Sequence, residues 1–213
     1  YGTEDQKMKY LPELLSGKKL GAFGLTEPNA GTDASGQQTR AELDGDEWVL
    51  NGAKCFITNG GYAEVFVVMA MTDKSKGNHG ISAFIVEKND PGFSIGKTED
   101  KMGICASSTT ELIFQNCRIP KDRLLGGLGK GFKVAMQTLD GGRIGIASQA
   151  LGIAEGALEV TIEYMKQRKQ FGKKLAQMQA LQFVVADLAT KVEAAKLLVL
   201  KSAFCEDAEI GRA

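Results

Sequence analysis

Residues 47–58 read EWVLNGAKCFIT, and this stretch decides the fold class. An Asp-Gly pair precedes it at 44–45 and an Asn-Gly pair interrupts it at 51–52. Both dipeptides favour two-residue turns between antiparallel strands. The sequence therefore predicts strands at 47–50 and 54–58 that are separated from their neighbours by hairpin turns.

Further short runs of β-branched, aromatic and aliphatic residues follow at 65–69, 81–86 and 111–114, each bounded by Gly, Asp, Asn or Pro. No helical pattern separates these runs, so we expect one antiparallel sheet, closed as a barrel or packed as a sandwich. A short helix is predicted before the sheet, at 5–15.

The second half of the chain has a different periodicity. All four prolines precede residue 121, and glycine becomes rare after Gly156. Apolar residues recur every three or four positions at 147–165 and again at 178–204, which predicts two long helices. A basic turn at 168–174 joins them. Two such helices cannot bury all of their apolar sides alone, so we expect them to have neighbours, either further chain or other subunits, and we expect an α+β fold class.

Composition excludes several classes of protein. The 213 residues carry 26 Lys plus Arg and 26 Asp plus Glu, a formal net charge of zero that argues against nucleic acid or a membrane surface as the main partner. No apolar run reaches the roughly 18 residues of a membrane helix. The four cysteines are scattered and there is one histidine, so we expect neither a disulfide framework nor a metal site. Because the first residue is Tyr1, we expect a piece of a longer protein.

Nucleotide-binding fingerprints are missing from the sequence. Residues 126–131 read GGLGKG, which matches neither the dinucleotide nor the P-loop pattern, and no βαβ unit surrounds them. We interpret this stretch as a flexible connector between sheet and helix. A nicotinamide enzyme or an NTPase is therefore not favoured, and a GxSxG nucleophile elbow is also lacking.

Two loops combine small residues with hydroxyls. Residues 23–33 read FGLTEPNAGTD, and residues 56–61 read FITNGG at the end of a predicted strand. Each could be a plain surface turn, because turns favour these residues. Such loops also expose backbone N–H groups and let a flat or anionic ligand approach closely. Two of them on one sheet favour a ligand platform over either turn alone.

Three segments resemble the acyl-CoA dehydrogenase family in order and spacing: residues 25–33, residues 56–61, and QRKQFG at 167–172. Residues 137–147, QTLDGGRIGIA, are most similar to its short-chain, butyryl-CoA members. The resemblance covers essentially the whole chain.

The resemblance implies three parts. Residues 1–16 would be the tail of an N-terminal helical domain, and 17–122 a middle β-domain for flavin and acyl-CoA. Residues 123–213 would be the start of a C-terminal four-helix bundle, so that the chain would hold long antiparallel helices of an incomplete bundle. It also implies FAD as cofactor, with the following residues near it: Phe23, Leu25, Thr26, Gly31, Thr32, Phe56, Ile57, Thr58, Arg168, Phe171 and Gln179.

Within that implied site, Thr26 would bond the isoalloxazine edge and Thr58 would lie near flavin N5. Phe56 would stack on the ring where many family members carry Trp. Arg168 would serve the FAD of a neighbouring subunit, although the sequence alone favours a solvated residue of a basic turn. Acyl-CoA would contact Thr32, Asp140, Gly141, Gly142 and Arg143. From spacing alone, Asp140 and Arg143 are a surface i,i+3 pair.

The implied activity is the oxidation of a short-chain acyl-CoA to the trans-2-enoyl-CoA, with electrons passed to electron-transferring flavoprotein by a homotetramer. No catalytic residue is expected in this chain. A minority of the family places the glutamate base immediately before the helix arginine, where this sequence has Gly142, so we expect the base beyond Ala213. An acyl-CoA oxidase and a flavin-free interaction module stay as alternatives. The bacterial cytoplasm and the mitochondrial matrix both suit a disulfide-poor chain.

Overall fold

The computed structural model describes residues 1–208, which form two compact units, Tyr1–Met136 and a second unit from Gln137 onward. Residues 209–213, the end of the predicted third part, lie outside the described residues. The predicted boundaries at 16/17 and 122/123 stay predictions.

The first unit begins with helix α1, Glu4–Leu15, as the sequence predicted. Thr3 caps it: its hydroxyl accepts from the Gln6 backbone N–H, and the Gln6 side chain bonds back to the Thr3 N–H. The Gln6 amide also donates to the carbonyl oxygens of Asp122 and Leu124, at 2.7 and 3.1 Å. These bonds tie the helix to the end of the sheet.

An eight-stranded sheet forms most of the first unit. Its strands are β1 Gly21–Gly24, β2 Arg40–Asp44, β3 Glu47–Thr58, β4 Val65–Met71, β5 Ile81–Glu87, β6 Phe93–Thr98, β7 Thr109–Pro120 and β8 Leu124–Leu125. They follow the order β6-β7-β3-β2-β4-β5-β8 across the sheet, with β1 paired to β4. This confirms the α+β class. The sheet is not closed into a barrel, and two pairings, β1–β4 and β2–β4, are parallel rather than antiparallel as predicted. Both parallel pairings join strands that are distant in sequence, which turn signals cannot reveal.

A hydrophobic cluster of this unit covers one face of strand β3, and strands β4 and β5 are buried along nearly their whole length. Trp48, Leu50, Phe66, Phe84 and Ile119 are all buried in this cluster. Trp48 and Phe84 meet edge to face, with ring centroids 5.1 Å apart. Alternation along β3 places Trp48 and Leu50 on this face, as expected for a half-buried strand.

One of the two predicted hairpins is present. Asp44 pairs with Glu47 across a two-residue turn between β2 and β3, which confirms the Asp-Gly signal. The Asn-Gly prediction is wrong, because residues 51–52 lie inside the continuous strand β3, opposite a bulge in β7. A Cβ on Gly52 would lie 2.5 Å from Thr39 Oγ1, so this glycine allows the close approach of another chain segment rather than a turn.

The glycine-rich connector at 126–131 packs against the sheet. The Gly129 N–H donates to the Ser82 hydroxyl at 2.9 Å, and a Cβ on Gly131 would lie 2.3 Å from the Ser82 carbonyl carbon. Its glycines therefore allow close packing. Instead of the flexible connector that we predicted, this segment is held against Ser82 of β5.

The second unit is helical. Helix α2, Gly131–Gln167, begins in the first unit and continues into the second, and α3 runs from Gln179 to Asp207. This confirms both predicted helices. Between them Lys169–Gln170 (β9) pairs with Lys173–Lys174 (β10) in a small hairpin. Among the described residues of this unit, Met165 is the one hydrophobic side chain that is buried, and much of both helices is exposed.

Within residues 1–208 no helix is long and apolar enough to cross a membrane. The same residues contain no group of three His, Cys, Asp or Glu side chains that could hold a metal ion. All four cysteines are free thiols. Burial raises the pKa of the Cys117 thiol to about 12, so this thiol is not a nucleophile at neutral pH.

Candidate functional site

The first predicted ligand loop leaves the sheet at the end of β1 and closes on itself. The Glu27 and Ala30 backbones exchange two hydrogen bonds, each 3.0 Å long. Beyond this turn Gly31, Thr32 and Asp33 are exposed. The chain then returns to the sheet at Gln37 and Thr39, which are buried. The loop therefore has a buried base and an exposed tip.

At that base lies a fully buried lysine, Lys54 of β3, with 0% of its side chain exposed. Its ammonium group donates to Glu27 Oε1 at 2.7 Å, to the Leu25 carbonyl at 3.1 Å and to Gln37 Oε1 at 3.1 Å. An ammonium group has three N–H donors, so all of them are satisfied. A buried charge is tolerated only when it is paired in this way.

Glu27 is the counter-ion, and it also binds the returning end of the loop. Its Oε1 accepts from the Thr39 N–H at 3.0 Å, and its Oε2 accepts from the Gln38 N–H. Burial acts to raise the pKa of this carboxyl, but the Lys54 ammonium and the N–H donors outweigh it, so the pKa is lowered. Burial lowers the pKa of Lys54 to about 8, against the opposing effect of Glu27. Both groups are therefore charged at neutral pH.

A β-bulge shapes the second predicted loop. Lys54 pairs with Leu112 and Ile57 with Thr110, so Cys55 and Phe56 stand opposite Glu111 alone. Phe56 takes a left-handed backbone conformation, with φ 58°, and its residue surface is 63% exposed. Strict alternation would have pointed Phe56 into the core with Trp48 and Leu50. The bulge turns its ring outward instead and brings Ile57 inward.

The two predicted loops are joined to each other. The Cys55 N–H donates to the Thr26 carbonyl at 2.9 Å, and the Asn59 amide donates to the Gly21 carbonyl at 3.2 Å. Thr26 is half-buried, whereas Thr32 and Thr58 are exposed. Across the described residues no hydrogen bond within the chain engages the hydroxyl of any of these three threonines. The exposed Phe56 ring thus directly follows Cys55, which is bonded to Thr26, and the two loops carry three hydroxyls that are available to a ligand.

Other predicted members of this site are less accessible. The Ile57 side chain belongs to the hydrophobic core, and Leu25 is buried with its carbonyl bonded to Lys54. Phe23 is half-buried. Leu25 and Ile57 can therefore meet a ligand through their backbones more readily than through their side chains.

In the second unit, Arg168, Phe171 and Gln179 lie on and beside the small hairpin. Phe171 and Gly172 form its two-residue turn, both with positive φ, and the Phe171 residue surface is 95% exposed. Arg168 is exposed, and its backbone bonds Tyr164 on one side and Leu175 on the other. Gln179 is the first residue of α3 and is also exposed. This hairpin presents an aromatic ring beside cationic side chains.

Asp140 and Arg143 form the i,i+3 ion pair that their spacing predicted, at 2.8 Å on the surface of α2. Gly141 and Gly142 lie between them on the same helix, and a Cβ on either would meet nothing within 4 Å. The glycines leave the helix surface bare at this point, so a bulky ligand could approach the guanidinium group closely.

Sequence reasoning missed the buried cluster of Lys54, Glu27 and Gln37. Lys54 is far from Glu27 in sequence, and the loop motif is recognised by its hydroxyl groups rather than by its charged residues. A signal was nevertheless present, because alternation from Trp48 and Leu50 assigns residue 54 to the core face of β3. A lysine on a core face requires a buried anion, and Glu27 is the carboxylate of the adjoining loop.

The fold is α+β, and the candidate site lies on two loops that are bonded to each other next to strand β3. The family profile described as acyl-CoA dehydrogenase, middle domain, matches residues 22–117, and that of the C-terminal domain matches residues 129–211. The chain therefore belongs to the acyl-CoA dehydrogenase family, which is a family of oxidoreductases.

Individual relatives agree. The chain is 62% identical, over 95% of its length and 53% of the relative's, to the short-chain specific acyl-CoA dehydrogenase of Megasphaera elsdenii. The solved butyryl-CoA dehydrogenase of that organism superimposes with a TM-score of 0.94 at 61% identity, over 97% of this chain and 54% of that one.

Two further solved structures are similar. A chain from a structure described as electron transferring flavoprotein of Acidaminococcus fermentans superimposes with a TM-score of 0.95 at 61% identity, over 98% of this chain and 55% of that one. A structure described as an FAD-dependent dehydrogenase gives 0.96 at 34% identity, over 99% and 57%. The chain thus spans about half the length of the relatives that it matches.

Proposed function

We propose that the protein to which this chain belongs oxidises a short-chain acyl-CoA to the trans-2-enoyl-CoA with FAD as cofactor and passes the electrons to electron-transferring flavoprotein. The observation that carries the proposal is the joined loop pair, which carries an exposed Phe56 ring and the free hydroxyls of Thr26, Thr32 and Thr58. Family membership and about 60% identity to butyryl-CoA dehydrogenase support the same chemistry.

The residues present fit a flavin. An isoalloxazine is a flat aromatic group with a polar edge, and it suits an exposed aromatic ring flanked by hydroxyl donors. FAD, when bound, supplies the hydride acceptor for the β-carbon of the acyl chain. Thr26 and Thr58 would donate to the polar edge of the ring system, and preorganised donors stabilise developing negative charge without moving. Phe56 would cover one face and limit access of water.

The substrate would be held by other residues. Thr32, at the exposed tip of the first loop, is proposed to reach both the pyrophosphate of FAD and the acyl-CoA. Arg143 and Asp140, with Gly141 and Gly142 between them, are proposed to contact the CoA moiety, whose phosphates attract a guanidinium group.

The reaction also needs a carboxylate that removes the α-proton while hydride leaves the β-carbon. Residue 142, immediately before Arg143, is a glycine. Glu27 is committed to Lys54 and to two backbone N–H groups. We therefore propose that the base is a glutamate beyond Ala213, outside this chain.

A second subunit is part of the proposal. Arg168, Phe171 and Gln179 are proposed to serve the FAD of a neighbouring copy within a homotetramer. Their exposure on the small hairpin supports this role, because none of the three side chains is buried in its own unit.

Addition of butyryl-CoA to the purified full-length protein under anaerobic conditions tests the activity. We expect the visible flavin absorbance to be bleached and crotonyl-CoA to form. Electron-transferring flavoprotein should restore the absorbance faster than dissolved oxygen does. Faster restoration by oxygen would favour the acyl-CoA oxidase alternative, and a protein without flavin would favour the interaction module.

A further inference from the structure

We propose that Lys54 is a positioning residue for the flavin site, because its ammonium group clamps both ends of the ligand loop to strand β3. The inference rests on the proposed function and adds to it a residue that does not itself touch the cofactor. It concerns the loop at 25–37, which carries Thr26 near its start and Thr32 at its tip.

The three acceptors of Lys54 lie at both ends of that loop. The Leu25 carbonyl and Glu27 Oε1 belong to its start, whereas Gln37 Oε1 belongs to its end. One buried ammonium group therefore fixes the distance between the two ends of the loop. Compact surface loops whose ends are held together in this way keep a defined shape without belonging to a sheet.

Glu27 completes the clamp. Its carboxylate accepts from the Gln38 and Thr39 N–H groups, which are the first backbone donors after the loop. Without Lys54 this carboxylate would be buried with no counter-ion, and it would protonate or draw in water. In either case it would hold the backbone at Gln38 and Thr39 less firmly.

The same strand position also serves the second loop. Lys54 immediately precedes the bulge that turns Phe56 outward, and Cys55 within the bulge bonds the Thr26 carbonyl. A shift of Lys54 would therefore displace the Phe56 ring and the Thr26 hydroxyl together. Both predicted contacts to the flavin ring depend on one buried residue.

A purely structural explanation accounts poorly for a lysine here. Lys54 is one of the largest side chains that are fully buried among the described residues, and an apolar side chain of similar volume would fill the same space. Replacing a buried ion pair by apolar residues is often neutral or stabilising. What an apolar residue cannot do is bond three acceptors at the two ends of a loop.

The test compares four forms of the full-length protein: wild type, Lys54→Met, Gln37→Leu, and Ile119→Ala as a control of similar destabilisation. Ile119 is fully buried and pairs with Trp48, far along β3 from Lys54. Two quantities are measured, the amide hydrogen exchange of residues 28–37 without FAD and the Kd for FAD from a visible absorbance titration.

We expect Lys54→Met to speed exchange in residues 28–37 and to raise the Kd for FAD by about tenfold or more, with flavin bands shifted toward those of free FAD. Ile119→Ala should leave the exchange of this loop, the Kd and the band positions close to those of wild type. Gln37→Leu keeps the Glu27–Lys54 pair and removes only the contact at the end of the loop. It should speed exchange there even if Lys54→Met does not fold.

Three other outcomes would contradict either this inference or the proposed function. If wild type binds FAD and both Lys54→Met and Gln37→Leu bind it as tightly with unchanged loop exchange, the clamp has no positioning role and this inference is overturned. If Lys54→Met and Ile119→Ala weaken FAD binding equally, the effect is general destabilisation and the inference is likewise overturned. A wild type that binds no FAD would overturn the proposed function itself.

Discussion

The two units of this chain bury their side chains very differently. In the sheet unit, Leu50, Phe66 and Lys54 are completely buried, and even the charged residue has every donor satisfied. In the helical unit, Leu198 and Phe183 are about two-thirds exposed. The sheet unit thus contains its own core, whereas the helices carry apolar surface that calls for further chain or further subunits. Stability is therefore a local property of the first unit, whereas we expect that of the second unit to depend on further contacts.

The sharpest contrast is between two lysine ion pairs. Lys54→Met leaves Glu27 buried without a counter-ion and should lower the free energy of unfolding by about 3–5 kcal/mol. Lys191→Met breaks an exposed i,i+4 pair with Asp187 and should cost about 0.3–0.5 kcal/mol. Urea unfolding of each variant gives both values.

The double variant Glu27→Gln/Lys54→Met distinguishes two causes of lost stability, the unpaired buried carboxylate of Glu27 and the missing hydrogen bonds of Lys54 to the loop. It removes both buried charges and should recover part of the stability lost in Lys54→Met. A double variant that is less stable than Lys54→Met would show that the lost stability does not come from the unpaired carboxylate.

Two leucines test whether the cores differ as described. Leu50→Ala opens a cavity in the core of the sheet unit and should lower the free energy of unfolding of the 213-residue chain by about 2–5 kcal/mol. Leu198→Ala on α3 should change the stability of that chain by less than about 0.5 kcal/mol. In the full-length protein the cost of Leu198→Ala should rise, because other segments or subunits would cover the helix. Equal costs for the two leucines in the 213-residue chain would refute the contrast.

Acid should weaken the sheet unit through Glu27. The pKa of this carboxyl in the folded chain lies below the value of 4.5 for an unperturbed glutamate. Its contribution to stability is therefore complete above pH 4.5 and is lost as the pH falls through the lower, folded-state pKa. Glu27→Gln should show a shallower loss of stability in acid than wild type does, as measured by urea unfolding at several pH values. The exposed Glu42→Gln is the control and should keep the wild-type slope.

The smallest stability effect is expected at Arg143, although its effect on activity should be large. Arg143→Gln and Lys166→Gln each break an exposed i,i+3 pair on α2 and should cost about 0.2–0.5 kcal/mol. Only Arg143→Gln should raise the KM for acyl-CoA, by about tenfold, equivalent to about 1.4 kcal/mol. Equal KM values for the two variants would remove Arg143 from the proposed CoA contact.

Much of the fold could be predicted from local patterns. The long strands, both long helices and the Asp-Gly hairpin follow from alternation, helical periodicity and turn chemistry. The parallel pairings of β1 and β2 with β4 could not be foreseen, because they depend on which distant segments meet. The Asn-Gly pair misled for a related reason: Gly52 is required by the proximity of Thr39, a contact that arises only in the folded chain.

The candidate site shows the same division. The hydroxyl-bearing loops were identified from their composition, but their connection through Thr26 and Cys55 and their support by Lys54 were not. The outward turn of Phe56 depends on a bulge, which breaks the alternation from which strand faces are predicted. Side-chain identity therefore pointed to the ligand, whereas the geometry that presents those side chains came from long-range contacts.

The central claim is that the two loops of the sheet unit form a flavin site, and a titration of the purified full-length protein with FAD tests it most directly. The account predicts visible flavin bands that remain with the protein after unbound FAD is removed, at one flavin per chain, and weaker retention in Thr26→Ala and Thr58→Ala variants that fold normally. A folded wild-type protein that stays colourless, or variants that retain FAD as well as wild type does, would contradict it.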